Sequence, residues 1–155
     1  EKLSIPTNFN KLKLSKSLTS IGTKLLVNTI PKYLNNEIVL KNQNENYATY
    51  ATKITSESRK INFNNFSKNI INQIRAHSPS PGAWFYLKKE RIKVIDAKTN
   101  ETKGKISTII NNNFEIACKD GTIEPLILQR EGKNIVTKEE FLRGFKIIEG
   151  DLINA

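Results

Sequence analysis

Apolar residues recur at helical spacing over residues 14–34. They are Leu14, Leu18, Ile21, Leu25, Ile30, Tyr33 and Leu34. The spacing predicts a helix with one apolar side, with Asn10 as its N-cap and Asn35-Asn36 closing its far end. Pro31 predicts that the helix bends or begins to terminate there, because proline cannot donate the backbone hydrogen bond that continues a helix.

A short alternating stretch precedes this helix. Leu3 and Ile5 alternate with Lys2 and Ser4, which predicts a strand that ends at Pro6. One strand and one helix cannot bury their own apolar faces. We therefore interpret residues 1–34 as the tail of a larger α/β unit.

A second helical pattern runs through Phe66, Ile70, Ile71 and Ile74. Two prolines, Pro79 and Pro81, then forbid continuation of the helix, and Gly82 supplies a turn. From Ala83 onward the apolar period changes to that of a strand. The segment 74–84 is thus predicted to be a junction between two kinds of structure.

Beyond the junction the pattern predicts five short strands and a last helix. The strands cover residues 84–87, 92–97, 106–110, 114–118 and 122–129. Asp120-Gly121 is a strong hairpin signal between the last two. Thr137 and Glu140 form a capping box at the start of a helix over Lys138–Phe145. Five strands at this spacing predict a small closed or partly closed antiparallel barrel.

Composition limits the class of protein. No apolar run in the 155 residues approaches the roughly 20 needed to cross a bilayer, and no signal-peptide pattern is visible. The single cysteine, Cys118, excludes an internal disulfide framework and fits a reducing compartment, so we expect a cytoplasmic protein. The chain has no methionine and begins at Glu1, from which we expect a fragment of a longer protein.

The net charge of +10 favours a polyanionic partner. However, the 20 lysines occur together with 21 isoleucines and 19 asparagines, a combination that an AT-rich coding sequence also produces. Residues 53–155 hold 18 basic and 12 acidic side chains. The basic ones concentrate at a predicted hairpin (Lys88, Lys89, Arg91 and Lys93), with Lys103 and Lys105 near the following turn.

A second basic group lies in the polar segment 40–60, which has no apolar period and is predicted to be a linker. Its cations are Lys53, Arg59 and Lys60. An ordinary solvated connector explains them as well as phosphate contacts do. A barrel with a basic rim can follow a phosphate backbone without reading its bases.

No catalytic or metal-binding motif occurs in the sequence. The only histidine, His77, is interpreted as a turn residue that ends the preceding helix rather than as a catalytic base. Cys118 stands where a small apolar strand residue belongs, so we expect it to be buried. Trp84 is expected in the core, with a base-stacking role as the alternative.

Several segments, in order, resemble methionyl-tRNA formyltransferases. They are residues 2–6, the helix 14–34, Ala48-Thr49-Tyr50-Ala51-Thr52-Lys53-Ile54, Ile61-Asn62-Phe63, Asn72-Gln73-Ile74-Arg75-Ala76, Pro79-Ser80-Pro81-Gly82-Ala83, Asp120-Gly121, Leu128-Gln129-Arg130-Glu131-Gly132-Lys133, Phe141-Leu142-Arg143-Gly144 and Gly150-Asp151. The resemblance spans nearly the whole chain.

The resemblance implies an α+β fragment, in which the tail of a Rossmann-like α/β formyltransferase domain is followed by an OB-like antiparallel β-barrel. Residues 1–39 would end the catalytic domain, 40–60 would be the linker, and 61–155 would form the tRNA-binding barrel. The family moves a formyl group from 10-formyltetrahydrofolate to the methionyl amino group of initiator tRNA.

By the same resemblance, the family's catalytic Asn, His and Asp match no position of this chain. We therefore expect the fragment alone to be inactive, to bind no cofactor or metal, and to be a monomer. Its expected tRNA-binding residues are Lys53, Arg59, Lys60, Lys88, Lys89, Arg91 and Lys93. Two alternatives stay open: part of a related sugar-nucleotide formyltransferase, and a stand-alone nucleic-acid-binding barrel.

Overall fold

A computed structural model describes residues 1–154. Ala155, the last residue of the predicted barrel, lies outside the described residues. The chain divides into two compact units, one over Glu1–Ile54 and one from Thr55 onward. Each unit has its own pattern of burial.

The first unit is built around helix α1, Lys11–Leu34. Asn10 is its N-cap, as predicted: the Oδ1 atom accepts a 3.0 Å hydrogen bond from the backbone N–H of Lys13. Pro31 lies in the last turn, where the helix is about to end, and Asn35 is the C-cap. No residue of α1 is buried, and most of its apolar side chains, such as Leu26 and Val27, are exposed.

The strand predicted over residues 2–6 is wrong. These residues form no strand, and the carbonyl of Pro6 instead accepts a 3.0 Å hydrogen bond from the N–H of Phe9. A strand needs a partner for its N–H and C=O groups, and none of the described residues in this unit forms one. A single 3₁₀ turn, Glu45–Tyr47, interrupts the otherwise irregular segment after the helix.

The second unit begins with a 3₁₀ turn, Glu57–Arg59, and helix α2, Ser67–His77. Ile70 and Ile74 on α2 are buried, which confirms the predicted apolar face. The junction is also as predicted: Gly82 has a φ of +83°, and its N–H donates a 3.0 Å hydrogen bond to the carbonyl of His77. The chain then turns directly into the first strand.

One antiparallel sheet of five strands follows. The strands are β1 Ala83–Leu87, β2 Glu90–Asn100, β3 Ile116–Ala117, β4 Thr122–Arg130 and β5 Ile135–Thr137. The order is β1-β2-β4-β3, and β5 pairs with β4. Register shifts in β2 around Asp96 mark a bulge. Over the described residues the architecture is therefore α+β, with three α-helices and this sheet.

The predicted third strand, 106–110, is wrong. Ser107 has a φ of +63°, which interrupts an extended backbone, and only isolated bridges form, from Thr108 to Leu152 and from Ile109 to Ile116. The fourth predicted strand shrinks to β3 because Phe114 also has a positive φ. In contrast, the Asp120-Gly121 turn is confirmed, and the carbonyl of Gly121 accepts a 2.9 Å hydrogen bond from Cys118 N–H.

The last helix, α3, covers Lys138–Gly144. Its capping box is confirmed, with the side chains of Thr137 and Glu140 each accepting a hydrogen bond from the other residue's backbone N–H. A series of aromatic contacts links α3 to the sheet and to the chain before α2: Phe63 to Phe85, Phe85 to Phe114, Phe114 to Phe141, and Phe141 to Phe145. These aromatic residues form the centre of the core. One face of β1 and β2 packs against them, and the other face is turned away.

Candidate nucleic-acid interface

The face of β1 and β2 that turns away from the core carries both aromatic and basic residues. Side chains alternate along a strand, so Phe85 and Leu87 enter the core while Trp84 and Tyr86 lie on the opposite face. On β2, Lys93 pairs with Trp84, and Arg91 pairs with Tyr86.

Lys60 reaches the same face from outside the sheet. The residue after it, Ile61, donates a 2.7 Å backbone hydrogen bond to the carbonyl of Trp84. The Nζ atom of Lys60 lies 5.8 Å from the ring centroid of Trp84 and 5.7 Å from that of Tyr86. Both distances are within the range of a cation–π interaction.

Arg91 approaches the indole ring too, with its Cζ atom 5.7 Å from the Trp84 centroid. The rings of Trp84 and Tyr86 meet edge to face, at 5.1 Å and 77°. We call Lys60, Trp84, Tyr86 and Arg91 the aromatic–basic patch. Three of its four members were singled out from the sequence as candidate binding residues.

Asn154, near the end of the described residues, connects the two backbone segments that carry the patch. Asn154 exchanges two hydrogen bonds with Tyr86: its backbone N–H donates to the carbonyl at 2.8 Å, and its Oδ1 accepts from the N–H at 3.0 Å. Its Nδ2 atom donates to the carbonyl of Ile61 at 3.0 Å. One asparagine therefore holds the strand of Tyr86 and the segment of Lys60 side by side.

Arg91 also has an acidic partner. Its Nη2 atom donates a hydrogen bond to Oε1 of Glu131, directly after β4. Its Nε atom is buried and has no acceptor among the described residues. In a neighbouring ion pair the acid is on β2 and the base on β4: Arg130 donates two hydrogen bonds, 2.8 and 2.9 Å long, to Glu90. The sheet end thus carries two crossed ion pairs, and only one involves the patch.

The sequence of this unit matches a known family. The profile described as "Formyl transferase, C-terminal domain" matches residues 53–146, which is more than half of the chain. The chain belongs to the formyl transferase C-terminal domain family.

Curated relatives of this family member agree. Proteins named methionyl-tRNA formyltransferase are 30% identical in Pelagibacter ubique, 33% in Rickettsia bellii and 35% in Thermodesulfovibrio yellowstonii, over 98%, 94% and 97% of this chain. The matches cover 49%, 48% and 49% of those proteins. The chain therefore spans about half the length of the curated relatives it matches. The resemblance recognised from the residues is confirmed, and the sugar-nucleotide alternative is not favoured.

Solved structures show the same fold at lower identity. Two structures of HypX from Aquifex aeolicus match with TM-scores of 0.62 and 0.57, at 16% and 15% identity. They cover 95% and 83% of this chain and 30% and 26% of the HypX chain, and the second was solved in complex with tetrahydrofolic acid. At this identity the likeness concerns the fold alone.

The other predicted site residues of this family member are distributed as follows. Lys88 and Lys89 form the β1–β2 turn with φ values of +50° and +65°. Lys88 is engaged internally: its Nζ atom lies 3.0 Å from Oδ2 of Asp151 and donates a 2.9 Å hydrogen bond to the carbonyl of Lys146. Lys89 is exposed, and the structure shows no ion pair for it within residues 1–154.

Arg59 and Lys93 flank the junction. Arg59 donates hydrogen bonds to the carbonyls of Thr55 at 3.1 Å and Gly82 at 3.0 Å. The stem of Lys93 runs beside Gly82, where a Cβ atom would lie 3.3 Å from its Cδ. Lys53 belongs to the first unit, where it is exposed. The second unit thus holds six of the seven predicted residues, and two of these, Lys60 and Arg91, converge on one tryptophan.

Trp84 and Cys118 are both buried, as expected, with 4% and 5% of their surface exposed. Cys118 belongs to the main hydrophobic core, whereas Trp84 lies outside that cluster, on the opposite face of β1. The indole Nε1 of Trp84 donates a 3.0 Å hydrogen bond to the carbonyl of Ser56, so the ring is a fixed part of the structure. Burial raises the pKa of the Cys118 thiol, and the nearby Asp120 carboxylate adds to this effect.

The residue that sequence reasoning missed is Tyr86. It lies in the predicted strand 84–87, but the sequence alone indicates no role for it. The usable signal was its two-residue spacing from Trp84 together with the basic residues on the facing strand. Within residues 1–154 there is no group of three or more His, Cys, Asp or Glu placed to hold a metal ion. In the same residues, no helix has the length and hydropathy to cross a membrane.

Proposed function

We propose that this chain is the tRNA-binding part of a methionyl-tRNA formyltransferase. The complete enzyme would transfer a formyl group from 10-formyltetrahydrofolate to the methionyl amino group of initiator tRNA. The family assignment and the names of the curated relatives support the reaction. The convergence of Lys60 and Arg91 on Trp84 is the observation that supports an RNA-binding role for this part of it.

The proposed domain organisation follows the same reasoning. Residues 1–39 are the end of a Rossmann-like catalytic domain, 40–60 are the linker, and 61–155 are an OB-like barrel. The absence of any buried residue on α1 supports the first assignment, because its apolar side chains fit a helix that packs on a larger domain. The antiparallel five-stranded sheet supports the last.

The catalytic groups of the proposed enzyme do not lie in this chain. By resemblance, the Asn, His and Asp that perform the transfer belong to segments that match no position here, and His77 ends α2 in the second unit. We propose that the chain alone is inactive and binds neither donor nor metal. We also propose that it acts in the cytoplasm as a monomer.

The proposed tRNA contacts are Lys53, Arg59, Lys60, Lys88, Lys89, Arg91 and Lys93. Cations that neutralise phosphates release bound counterions from the nucleic acid, so such contacts make affinity fall steeply with salt. Arg59, Lys88 and Arg91 already have internal partners. For these three, phosphate binding is a second role added to a structural one.

A salt titration tests the proposal. We expect initiator tRNA to bind with micromolar or weaker affinity, measured by fluorescence anisotropy, and the logarithm of the binding constant to fall linearly with the logarithm of salt concentration. Binding that does not depend on salt, or no binding at low ionic strength, would refute the proposed role.

A charge-matched pair of variants locates the contacts. One variant neutralises Lys88, Lys89, Arg91 and Lys93 to glutamine. Its control neutralises four exposed lysines of the same unit elsewhere: Lys68, Lys103, Lys105 and Lys133. We expect the first to lose affinity and to lower the salt slope by up to about four, and the control to change both much less. A third variant neutralises Lys89, Arg91 and Lys93 but retains Lys88, which separates the loss of RNA contacts from the loss of stability. Equal losses of affinity in all three variants would place the binding site elsewhere.

A further inference from the structure

We propose that the aromatic–basic patch is a binding site for one unpaired RNA nucleotide. The base would lie against Tyr86, and its phosphate between Lys60 and Arg91. This inference rests on the proposed RNA-binding function and specifies which part of the RNA the patch receives.

The base is assigned to Tyr86 because only this ring of the pair is available. Tyr86 is 37% exposed, whereas Trp84 is 4% exposed and its N–H is bonded to Ser56. Trp84 instead supports Tyr86 from the side, with the ring centroids 5.1 Å apart. A rigid, half-exposed ring stacks on any base, since every base has a π-face.

The phosphate is assigned to the two cations that frame the ring. Lys60 Nζ lies 5.7 Å from the Tyr86 centroid, and Arg91 is the cross-strand partner of Tyr86. Within the described residues Lys60 has no carboxylate partner. Arg91 uses Nη2 for Glu131, and its Nη1 atom donates no hydrogen bond within the described residues. A guanidinium donates five N–H groups, so it can bind a phosphate and keep its carboxylate.

The site is preformed. Asn154 ties the backbone of Tyr86 to that of Ile61, and Ile61 is bonded to Trp84. Lys60 and Tyr86 therefore do not need to move toward each other when a ligand arrives, which lowers the entropy that binding would cost. The ligand is an unpaired nucleotide because a base within a duplex has both faces covered by its stacked neighbours.

The chain offers its own reporter for the test. Trp84 is the only tryptophan, and it touches the three other members of the patch. We would titrate the full chain with a single-stranded RNA hexamer of adenosine and with a blunt RNA duplex of twelve base pairs, following Trp84 emission and the anisotropy of labelled RNA. We expect the hexamer to change Trp84 emission and the duplex to leave it nearly unchanged.

Variants then separate stacking from charge. Tyr86→Ala should weaken hexamer binding about tenfold, Tyr86→Phe should retain it, and Lys60→Gln should weaken it while raising the salt slope toward zero. Phe66→Ala is the matched control: Phe66 is 47% exposed and has Lys119 Nζ 4.5 Å from its ring centroid. We expect this variant to bind the hexamer as the unchanged chain does.

The failures are distinguishable. If Tyr86→Ala binds the hexamer as well as the unchanged chain, or Phe66→Ala loses as much, the inference is overturned. If initiator tRNA binds with the expected salt dependence but the hexamer does not bind, the inference fails and the proposed function stands. If neither RNA binds, the proposed function fails with it.

Discussion

Arg91 of β2 donates a hydrogen bond to the carboxylate of Glu131, the first residue after β4. The arginine side chain is 29% exposed and the glutamate side chain 65%. The acid is thus the more solvated and replaceable partner. It occupies one edge of a guanidinium that we assign to phosphate binding. Glu131 and the RNA phosphate therefore compete for one positive charge, even though they can use different N–H donors.

Glu131→Gln should therefore tighten binding to initiator tRNA. Exposed ion pairs are worth roughly 0.2–1 kcal/mol, so we expect a gain of about two- to fivefold at low salt, measured by anisotropy. The gain should shrink as salt rises, because screening weakens the competition.

Glu101→Gln is the control for this variant. It removes the same charge from an exposed residue beyond the opposite end of β2, and we expect a smaller effect. Weaker binding by Glu131→Gln would mean that the glutamate holds Arg91 in position for the ligand rather than competing with it.

The two lysines of the β1–β2 turn should differ in their contribution to stability. Lys88→Gln removes the contacts to Asp151 and to the Lys146 carbonyl, which should cost about 1 kcal/mol of unfolding free energy. Lys89→Gln changes the neighbouring residue at a similar positive φ and should stay within about 0.5 kcal/mol of the unchanged chain.

Urea unfolding followed by Trp84 emission measures both variants. Because both residues have φ values in the left-handed region, backbone strain is matched, and any difference reports the side-chain contacts. Equal midpoints for the two variants would show that the Lys88 contacts contribute nothing measurable.

Local sequence signals predicted the elements that depend on local contacts. The Asn10 cap, the α3 capping box and the Asp120-Gly121 turn each need only a few neighbouring residues, and all three are present. The apolar faces of α2 and of the long strands were equally readable, because burial of one face imposes a period of 3.6 or 2.

The wrong predictions concern segments whose conformation depends on residues far away in the sequence. Residues 106–110 look like a strand, but Ser107 has a positive φ and Thr108 bridges Leu152, more than forty positions away. Strand β5 was missed because it is only Ile135–Thr137, too short for a period to show. The aromatic–basic patch was half visible: alternation places Trp84 and Tyr86 together, but the arrival of Lys60 depends on Asn154.

Cys118 should react slowly with thiol reagents in the folded protein. Its side chain is buried, and burial raises its pKa, so little thiolate exists at neutral pH. Alkylation by iodoacetamide, followed by mass spectrometry, should be slower than in denaturant by a factor on the order of a hundred or more, since labelling requires the unit to open.

The chain has no other thiol, so the reaction reports this one position. Adding urea below the unfolding midpoint should raise the rate smoothly. A rate in buffer equal to that of the denatured chain would contradict the burial of Cys118.

Glu124 should make the second unit sensitive to acid. Burial alone would raise the pKa of this carboxyl, but hydrogen bonds from Lys138, Asn100 and Lys98 outweigh it and hold the pKa at about 2, against 4.5 for the unperturbed group. The Lys138 Nζ lies 2.6 Å from Oε1, and Glu124 is 5% exposed. The folded state therefore binds the proton less tightly than the unfolded state does.

The sign of the pH dependence follows from this difference. A depressed folded pKa contributes stability that is fully present above pH 4.5 and is lost as the pH falls toward 2, by about 3 kcal/mol. Glu124→Gln should flatten this part of the profile without abolishing it, because the pKa of Glu115 is lowered as well. At pH 7 the variant should lose about 3 kcal/mol or more, since Lys138 is left buried without its partner.

Glu139→Gln is the matched control. Glu139 approaches the same lysine, at 4.0 Å, but its side chain is 73% exposed, so we expect little change at any pH. Urea midpoints between pH 7 and pH 2, followed by Trp84 emission, measure all three proteins. If Glu124→Gln and the unchanged chain lost stability in parallel below pH 4.5, the acid sensitivity would have to come from other carboxyl groups.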